Sequence, residues 1–182
     1  MPDELIDIVD KKGNPTGVQH MKSYAHKNGL LHASVHIWIQ NDQQEILFQQ
    51  RALNKDTFPG LWDVSVAGHI AADENPKIAA VREVGEEIGI ALSPGDLHFI
   101  GTWHEEHHHN DYLIDNEIHF IYMVKALISL EDVSLQEEEV MAVRLLSIDT
   151  FTNSVNKKEL SAYVPHDIAY YKLIIKAITQ QV

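Results

Sequence analysis

The sequence predicts a single α/β domain. Its 182 residues amount to about one domain, and short segments of alternating apolar and polar residues accompany two stretches with helical periodicity. We find no internal repeat, low-complexity linker or composition boundary that would divide the chain. The 45% hydrophobic and 23% charged residues are typical of a globular protein and exclude global disorder. We therefore expect one domain over residues 1–182.

Strands are expected where apolar and polar residues alternate, or where a short apolar run ends at turn residues. In chain order the predicted strands are Leu5–Val9, 34–40, Glu45–Arg51, Asp63–Val66, Leu97–Trp103, Ile118–Ala126 and Val143–Ile148. The segment 34–40 shows the clearest alternation, and Asn41-Asp42 predicts a turn into a hairpin with the next strand. A helical turn is expected over Met21–Lys27, because Asn28-Gly29 would end it.

Two longer helices are predicted from amphipathic periodicity and capping residues. The first spans Pro76–Ile88, because Asp73 or Asn75 can cap its start, proline suits its first turn, and Gly89 suits the left-handed position after its end. The second spans His166–Gln180, where apolar residues recur along one side.

Two polar stretches are expected to be exposed. Residues 104–116 lie between two predicted strands, and we expect them to form a solvent-exposed loop that includes His107–His109. Consecutive histidines point in different directions and rarely converge on one ion. The run Glu137–Glu139 precedes a predicted strand and is most simply a solvated segment.

The chain is strongly acidic, with 27 Asp and Glu residues against 14 Lys and Arg residues and a formal net charge of −13. Three windows, 73–87, 104–117 and 131–139, hold fifteen acidic and two basic residues and account for the whole excess. Such a surface repels nucleic acids and anionic membranes, and we expect neither as a partner.

The chain has no cysteine, which excludes disulfides, thiolate metal sites and cysteine nucleophiles. The N-terminal segment is acidic and lacks the pattern of a signal peptide. No apolar stretch approaches the ~20 residues that cross a bilayer. We therefore expect a cytoplasmic protein.

The predicted helix Pro76–Ile88 brings three carboxylates together. At about 100° per residue, Glu83, Glu86 and Glu87 fall on one face about 100° wide, opposite the apolar side. A solvated acidic face is one interpretation. The other is a metal site, because like charges at these spacings repel each other and a divalent cation relieves the repulsion. Oxygen ligands without sulfur favour Mg²⁺ or Mn²⁺.

From Gly68 to Ile90 the chain matches every fixed position of the pattern G-x5-E-x7-R-E-U-x-E-E-x-G-U, in which U is an apolar residue. This segment resembles the Nudix box, and the sequence is therefore similar to the Nudix hydrolases. The resemblance implies an α/β/α sandwich with a mixed sheet, a loop–helix–loop over residues 68–90, and bound Mg²⁺ or Mn²⁺.

The resemblance also implies roles for single residues. These are metal ligation by Glu83, Glu86, Glu87 and Glu117, orientation of the ligands by Arg82, and support of the loop by Glu74 and Gly68. The implied reaction is hydrolysis of the pyrophosphate bond in a nucleoside diphosphate linked to another moiety, by a water that the metal activates. Glu86 is our first choice for the general base and Glu117 the second. We expect a small-molecule diphosphate as the partner, and the sequence predicts no oligomeric state.

A closer similarity covers about residues 5–150. The stretches LLHASVHIWIQ and ILFQQRALNKDTFPGLWDVSVAGH resemble the isopentenyl diphosphate isomerase branch of the superfamily. That isomerase has a catalytic cysteine directly before the glycine of its Gly-His pair, where this chain has Ala67. Its Nudix box is also degenerate, whereas this one is complete. We therefore expect hydrolysis, with isomerase-like activity and a non-catalytic nucleotide-sensing module as the alternatives.

The isomerase-like positions contain a further candidate site. His26, His32, His69, Asp115 and Glu117 match metal-binding residues of the isomerase, so that a second metal site is one interpretation. The other is that the histidines form hydrogen bonds in the core.

Two basic residues belong to the same resemblance. Arg51 and Lys55 match bases that bind the diphosphate in the isomerase, which implies substrate binding. The alternative is an ordinary solvated pair at the end of a hairpin.

Overall fold

The computed structural model describes residues 3–180, in which nine strands form one mixed sheet. The strands are β1 (Leu5–Val9), β2 (Pro15–Met21), β3 (His32–Gln40), β4 (Glu45–Arg51), β5 (Trp62–Asp63), β6 (Val66–His69), β7 (His98–Asn110), β8 (Leu113–Lys125) and β9 (Val140–Ser147). The helices are α1 (Lys22–Asn28), α2 (Pro76–Ile88), α3 (Ile148–Lys157) and α4 (Ile168–Gln180), with short 3-10 turns at Pro94–Asp96 and Leu130–Asp132. Within this range no helix has the length and apolar character needed to cross a membrane. The expected domain of 1–182 includes residues 1, 2, 181 and 182, which lie outside the described residues.

Strand β3 lies at the centre of the sheet, and all nine of its residues are buried. It pairs in parallel with β8 along its whole length, from His32 opposite Glu117 to Gln40 opposite Lys125. On its other side it pairs antiparallel with β6 over residues 34–37. Strand β7 pairs with the far side of β8, and β4 joins β5 and β9 to the sheet.

Helices cover both faces of this sheet. On one face Val35, Ile37 and Ile39 of β3 share a core with Val84 and Ile88 of α2. On the other face Trp38 packs with side chains of α3 and α4. These are Phe151, Val155, Tyr170, Tyr171, Ile174 and Ile178. The predicted α/β/α sandwich with a mixed sheet is therefore confirmed.

The expectation of an exposed loop over residues 104–116 is wrong, because β7 and β8 form a long antiparallel hairpin through this stretch. The rings of His107 and His109 lie against Phe58, with centroid distances of 5.3 and 4.8 Å. The side chain of His108, by contrast, is 64% exposed. The residues of β7 from 104 to 110 are all polar, so hydrophobic periodicity does not reveal this part of the strand.

Other elements also differ from the prediction. The single strand expected at Asp63–Val66 is two short strands, β5 (Trp62–Asp63) and β6 (Val66–His69). Strand β2 is an unpredicted edge strand, most of whose residues are exposed and which therefore carries little apolar periodicity. The strand expected at Val143–Ile148 is Val140–Ser147, and an unpredicted helix, α3, follows it. The hydroxyl of Ser147 caps this helix by accepting a hydrogen bond from the backbone N–H of Thr150 (3.2 Å).

Helix α2 has the predicted bounds and the expected caps. The Asn75 side chain accepts a 2.9 Å hydrogen bond from the backbone N–H of Lys77, and Gly89 takes the left-handed conformation with φ of 72°. The helix packs against β6 at Gly68, where a Cβ atom would fall 2.0 Å from Cδ of Glu83. Only glycine at position 68 allows the Glu83 carboxyl group to approach the strand this closely.

We expect Gly68→Ala to lower the free energy of unfolding by about 1–3 kcal/mol, because Glu83 or β6 must move to admit the methyl group. Gly85→Ala is the matched control: a Cβ there meets no atom within 4 Å. Replacing a helix-interior glycine is expected to raise the free energy of unfolding by about 0.5–1 kcal/mol. Urea denaturation measures both, and equal stability of the two variants would contradict the packing described for Gly68.

A second prediction concerns the core between β3 and α4. The Tyr170 hydroxyl accepts a 3.0 Å hydrogen bond from Nε1 of Trp38 and lies 2.7 Å from Nδ1 of His36. All three side chains are buried, so Tyr170→Phe leaves two buried nitrogens without this partner. We expect a loss of about 1–3 kcal/mol in urea denaturation. Tyr112→Phe, at a residue that is 71% exposed, is expected to change stability by less than about 0.5 kcal/mol, and a similar small effect at Tyr170 would refute the argument.

Candidate active site

Most of the predicted site residues line one cavity of about 530 Å³. Its wall includes parts of α1, β3, β6, α2, β7 and β8 and the segment 51–58. The predicted residues in the wall are His26, Arg51, Lys55, Gly68, His69, Arg82, Glu83, Glu86, Glu87, Asp115 and Glu117. The other two, His32 and Glu74, lie next to wall residues, beside Glu117 and Arg82 respectively.

Arg82 connects the loop before α2 to the carboxylates on the helix. Its guanidinium donates two hydrogen bonds to Glu74, both 2.9 Å long, in a bidentate arrangement. It also donates to Glu83 (2.7 Å), to Glu86 (3.0 Å) and to the backbone carbonyl of His69 (3.1 Å). The guanidinium of Arg82 thus contacts both the helix carboxylates and the loop, and the roles that the resemblance implies for Arg82 and Glu74 are compatible with these contacts.

Two of the carboxylates on α2, those of Glu83 and Glu87, are largely shielded from solvent. Burial raises the pKa of Glu83 to about 7 against the opposing effect of Arg82. Burial, together with the charge of Glu83, raises the pKa of Glu87 well above its usual range. Glu87 accepts a hydrogen bond from Nε2 of Gln49 (3.1 Å), whereas the side chain of Glu86 is 54% exposed.

These three carboxyl groups fit a hard divalent cation. Their donors are all oxygens, as Mg²⁺ and Mn²⁺ prefer. Burial raises the pKa values of Glu83 and Glu87 because it disfavours their charged forms, and a bound cation would favour those forms. Arg82 and Gln49 hold the carboxylates in separate hydrogen bonds.

A first histidine cluster consists of His26, His32, His69 and Glu117. One ligand atom from each lies within 4.8 Å of the others. Nε2 of His26 is 3.1 Å from Nε2 of His69, and Oε1 of Glu117 is 3.7 Å from Nε2 of His32 and 3.5 Å from Nε2 of His69. Asp115 joins from outside, with Oδ1 3.0 Å from Nδ1 of His26. The structure thus brings together all five residues that the resemblance indicated.

Burial and charge act in opposite directions in this cluster. Burial lowers the pKa of His69 to about 4. Burial alone would raise the pKa of Glu117, but the facing nitrogens of His32 and His69 outweigh burial and hold this pKa well below its usual range. Nε2 of His32 is buried without a hydrogen-bond partner, while its Nδ1 lies 2.8 Å from the carbonyl oxygen of Leu30.

The two basic residues are not a solvated pair. Arg51 donates to Asp63 (3.1 Å), to the carbonyl oxygen of Thr57 (3.0 Å) and to the Thr57 hydroxyl (3.1 Å). The ammonium of Lys55 donates to Glu139. Glu139 is only 7% exposed and lines the cavity, so the expectation of a solvated run at Glu137–Glu139 is wrong at that residue.

A second histidine cluster was not predicted. It consists of Glu105, His107, His119 and His166, all in the cavity wall. Nδ1 of His166 lies 2.6 Å from Oε2 of Glu105, and its Nε2 lies 3.1 Å from Oδ1 of Asp63. Burial opposes protonation, but the two facing carboxylates raise the pKa of His166 to about 9.

The sequence does contain a signal for this second cluster, because polar residues recur at every second position of two strands. Glu105 and His107 are two residues apart on β7, and Ser34 and His36 are two residues apart on β3, so the members of each pair share a face of the sheet. The interpretation of residues 104–116 as a loop concealed it. The position of His166 before α4 carries no local signal of its role.

Known proteins resemble this chain in sequence. Residues 30–165 match the family model of the NUDIX domain. The chain is 38% identical over 172 residues to Nudix hydrolase 3 of Arabidopsis thaliana, covering 92% of this chain and 22% of the plant protein, so it spans about a fifth of that relative's length. It is 34% identical over 155 residues to the isopentenyl-diphosphate Delta-isomerase of Pectobacterium atrosepticum, covering 84% of this chain and 81% of the isomerase.

Solved structures agree on the fold. The crystal structure of DR0079 from Deinococcus radiodurans aligns with a TM-score of 0.67 at 15% identity, covering 97% of this chain and 98% of the other. The NUDIX domain of Shewanella oneidensis NrtR, solved in complex with ADP ribose, aligns with a TM-score of 0.58 at 15% identity, covering 80% and 87%. The family match, the complete box on α2 and the shared fold show that this chain belongs to the Nudix hydrolase family.

Proposed function

We propose that this chain hydrolyses the pyrophosphate bond of a nucleoside diphosphate linked to another moiety, with Mg²⁺ or Mn²⁺ bound by Glu83, Glu86 and Glu87. The observation that carries the proposal is the set of three carboxyl groups that α2 presents to the cavity, held in place by Arg82 and Gln49. A polyanionic substrate cannot approach such a surface until a cation offsets its charge.

When bound, the metal supplies charge neutralisation and a lowered pKa for a coordinated water. The chain's own residues supply orientation and proton transfer. Arg82 fixes the carboxylates of Glu83 and Glu86. Glu86 is the exposed member of the three, so it is placed to accept a proton from a water in the cavity. Glu117 is the poorer candidate, because its pKa is well below the usual range and a lower pKa means a weaker base.

Arg51 and Lys55 are the cations proposed to contact the phosphate groups. Both line the cavity, and each is held by a carboxylate of the chain, Asp63 or Glu139. These contacts place the two positive charges in fixed positions. The ADP ribose in the complexed Shewanella domain supports a substrate in which a diphosphate joins a nucleoside to a second polar group.

Isomerase-like activity is the second candidate, favoured by the assembled first histidine cluster and by the similarity to a bacterial isomerase. Ala67, which lies in the cavity wall, argues against it, because its methyl side chain can neither donate nor accept a proton. We expect no double-bond migration when isopentenyl diphosphate is incubated with the protein and Mg²⁺ and followed by NMR. Formation of dimethylallyl diphosphate would reverse the order of the two candidates.

The hydrolase proposal predicts that Glu86→Gln and Glu87→Gln each lower kcat by about 100-fold or more, because one loses the base and the other a metal-ligand charge. The assay is a panel of nucleotide sugars, dinucleotides and prenyl diphosphates with added Mg²⁺ and identification of the products. Glu106→Gln is the matched control, since its side chain is 45% exposed and contacts His108.

Thermal denaturation separates lost chemistry from lost folding, and we expect all three variants to remain folded. Turnover by wild type that disappears on chelation of Mg²⁺ and returns with added metal supports the proposal. A panel with no metal-dependent turnover, or nucleotide binding without turnover, would refute it and favour the nucleotide-sensing alternative.

A further inference from the structure

The second histidine cluster has the features of a coordination site that the hydrolase proposal does not use. Three imidazole nitrogens converge on one carboxylate oxygen, Oε2 of Glu105. Nδ1 of His166 lies at 2.6 Å, Nε2 of His119 at 3.5 Å and Nε2 of His107 at 3.7 Å. One ligand atom each from Glu105, His107 and His166 lies within 4.8 Å of the others.

Two of these distances match the spacing of ligands on one ion. Ligands at about 2.0–2.1 Å from a tetrahedral Zn²⁺ are about 3.3 Å apart, near the 3.5 and 3.7 Å found here. Both are too long for a hydrogen bond. The shorter His166–Glu105 contact is a hydrogen bond, whose proton an ion would replace.

Hydrogen bonds already orient the outer nitrogens of two rings. Nε2 of His166 lies 3.1 Å from a carboxylate oxygen of Asp63, and Nδ1 of His119 lies 2.7 Å from the hydroxyl of Ser34. Metal-bound histidines characteristically make such a contact through the nitrogen that does not ligate. The other oxygen of Glu105 accepts a 2.9 Å hydrogen bond from the backbone N–H of Asp167, which leaves Oε2 directed at the rings.

The inner nitrogens lack other partners. Within residues 3–180, Nε2 of His119 and Nε2 of His107 are buried without a hydrogen-bond partner, and His119 is only 5% exposed. Leaving a buried polar atom unpaired destabilises the folded chain. His107 borders the cavity with 27% of its side chain exposed, so an ion can reach the cluster from the cavity.

We propose that Glu105, His107 and His166 form a binding site for a transition-metal dication, with His119 at its edge, separate from the carboxylates of α2 and from the first histidine cluster. Imidazole and carboxylate groups are borderline donors, which favour Zn²⁺ over Mg²⁺. Asp63 and Ser34 hold the rings of His166 and His119 in place. The site is independent of which substrate the hydrolase cleaves.

Zinc stoichiometry tests the site without any activity assay. The full chain is first freed of metal with a chelator. It is then titrated with Zn²⁺ in the presence of excess Mg²⁺, which is added to occupy the carboxylate site on α2. After desalting, the amount of zinc bound per chain is measured by mass spectrometry. We expect His107→Gln to bind one Zn²⁺ equivalent less than wild type. Because Nε2 of His107 has no hydrogen-bond partner, this variant is expected to fold normally.

Two further variants distinguish zinc that is bound at this site from zinc that is bound elsewhere on the chain. His108→Gln changes the neighbouring histidine, which contacts Glu106 at the surface, and is expected to bind as much Zn²⁺ as wild type. His26→Gln disrupts the first cluster and is expected to retain the equivalent that His107→Gln loses. Zn²⁺ is also expected to raise the Tm of wild type more than that of His107→Gln.

The result that overturns the proposal is equal Zn²⁺ stoichiometry and affinity in wild type and His107→Gln. Zinc that is lost entirely on His26→Gln also overturns it, because all binding would then belong to the first cluster. Neither outcome bears on Mg²⁺-dependent turnover, which the glutamate variants of α2 test separately.

Discussion

The pairing of β3 with its neighbours is the constraint on which every candidate site depends. His32 lies opposite Glu117 and Ser34 opposite His119 in the parallel ladder with β8, while Ser34 also lies opposite His69 in the ladder with β6. One register therefore positions His32, His69 and Glu117 of the first cluster and His119 of the second. Because side chains alternate along a strand, a slip of one residue would move these groups to the face that α2 covers and bring the apolar core residues into the cavity. Continuous burial of β3 strongly specifies the register, because such a slip would expose apolar surface and bury unpaired polar groups.

Charge compensation is the second organising feature. Fifteen acidic residues in three windows account for the net charge of −13, and members of each window line the cavity. Basic groups lie beside some of them: Arg82 contacts Glu83 and Glu86, and Lys55 contacts Glu139. The imidazole of His166, whose pKa is raised by the facing carboxylates, contacts Glu105. The carboxyl group of Glu87 accepts a hydrogen bond from the neutral amide of Gln49. Burial and the charge of Glu83 outweigh the opposing effect of Lys55 on its pKa, so a divalent cation bound at α2 would favour its charged form.

The sequence predicts some parts of this molecule well and others hardly at all. Helix α2 was predicted to its exact bounds, because Asn75, Pro76 and Gly89 are local capping signals that need no tertiary information. The first histidine cluster could be named only through a family resemblance, since His26 and Glu117 are far apart in the chain. The second cluster escaped prediction for a physical reason. Residues 104–110 of β7 are polar on both faces, so this part of the strand has no hydrophobic periodicity to reveal it. Without a predicted strand, the spacing of Glu105 and His107 by two residues did not indicate a shared face.

The strand geometry also relates the two histidine clusters to each other. Glu117 and His119 are two residues apart on β8 and contribute to different clusters, so their backbones are about 6.5–7 Å apart. Their side chains lie closer, because Oε2 of Glu117 is 3.4 Å from Nδ1 of His119. Charges at this distance interact directly, so a change of charge in one cluster acts on the other, and the two clusters form adjacent parts of one cavity wall.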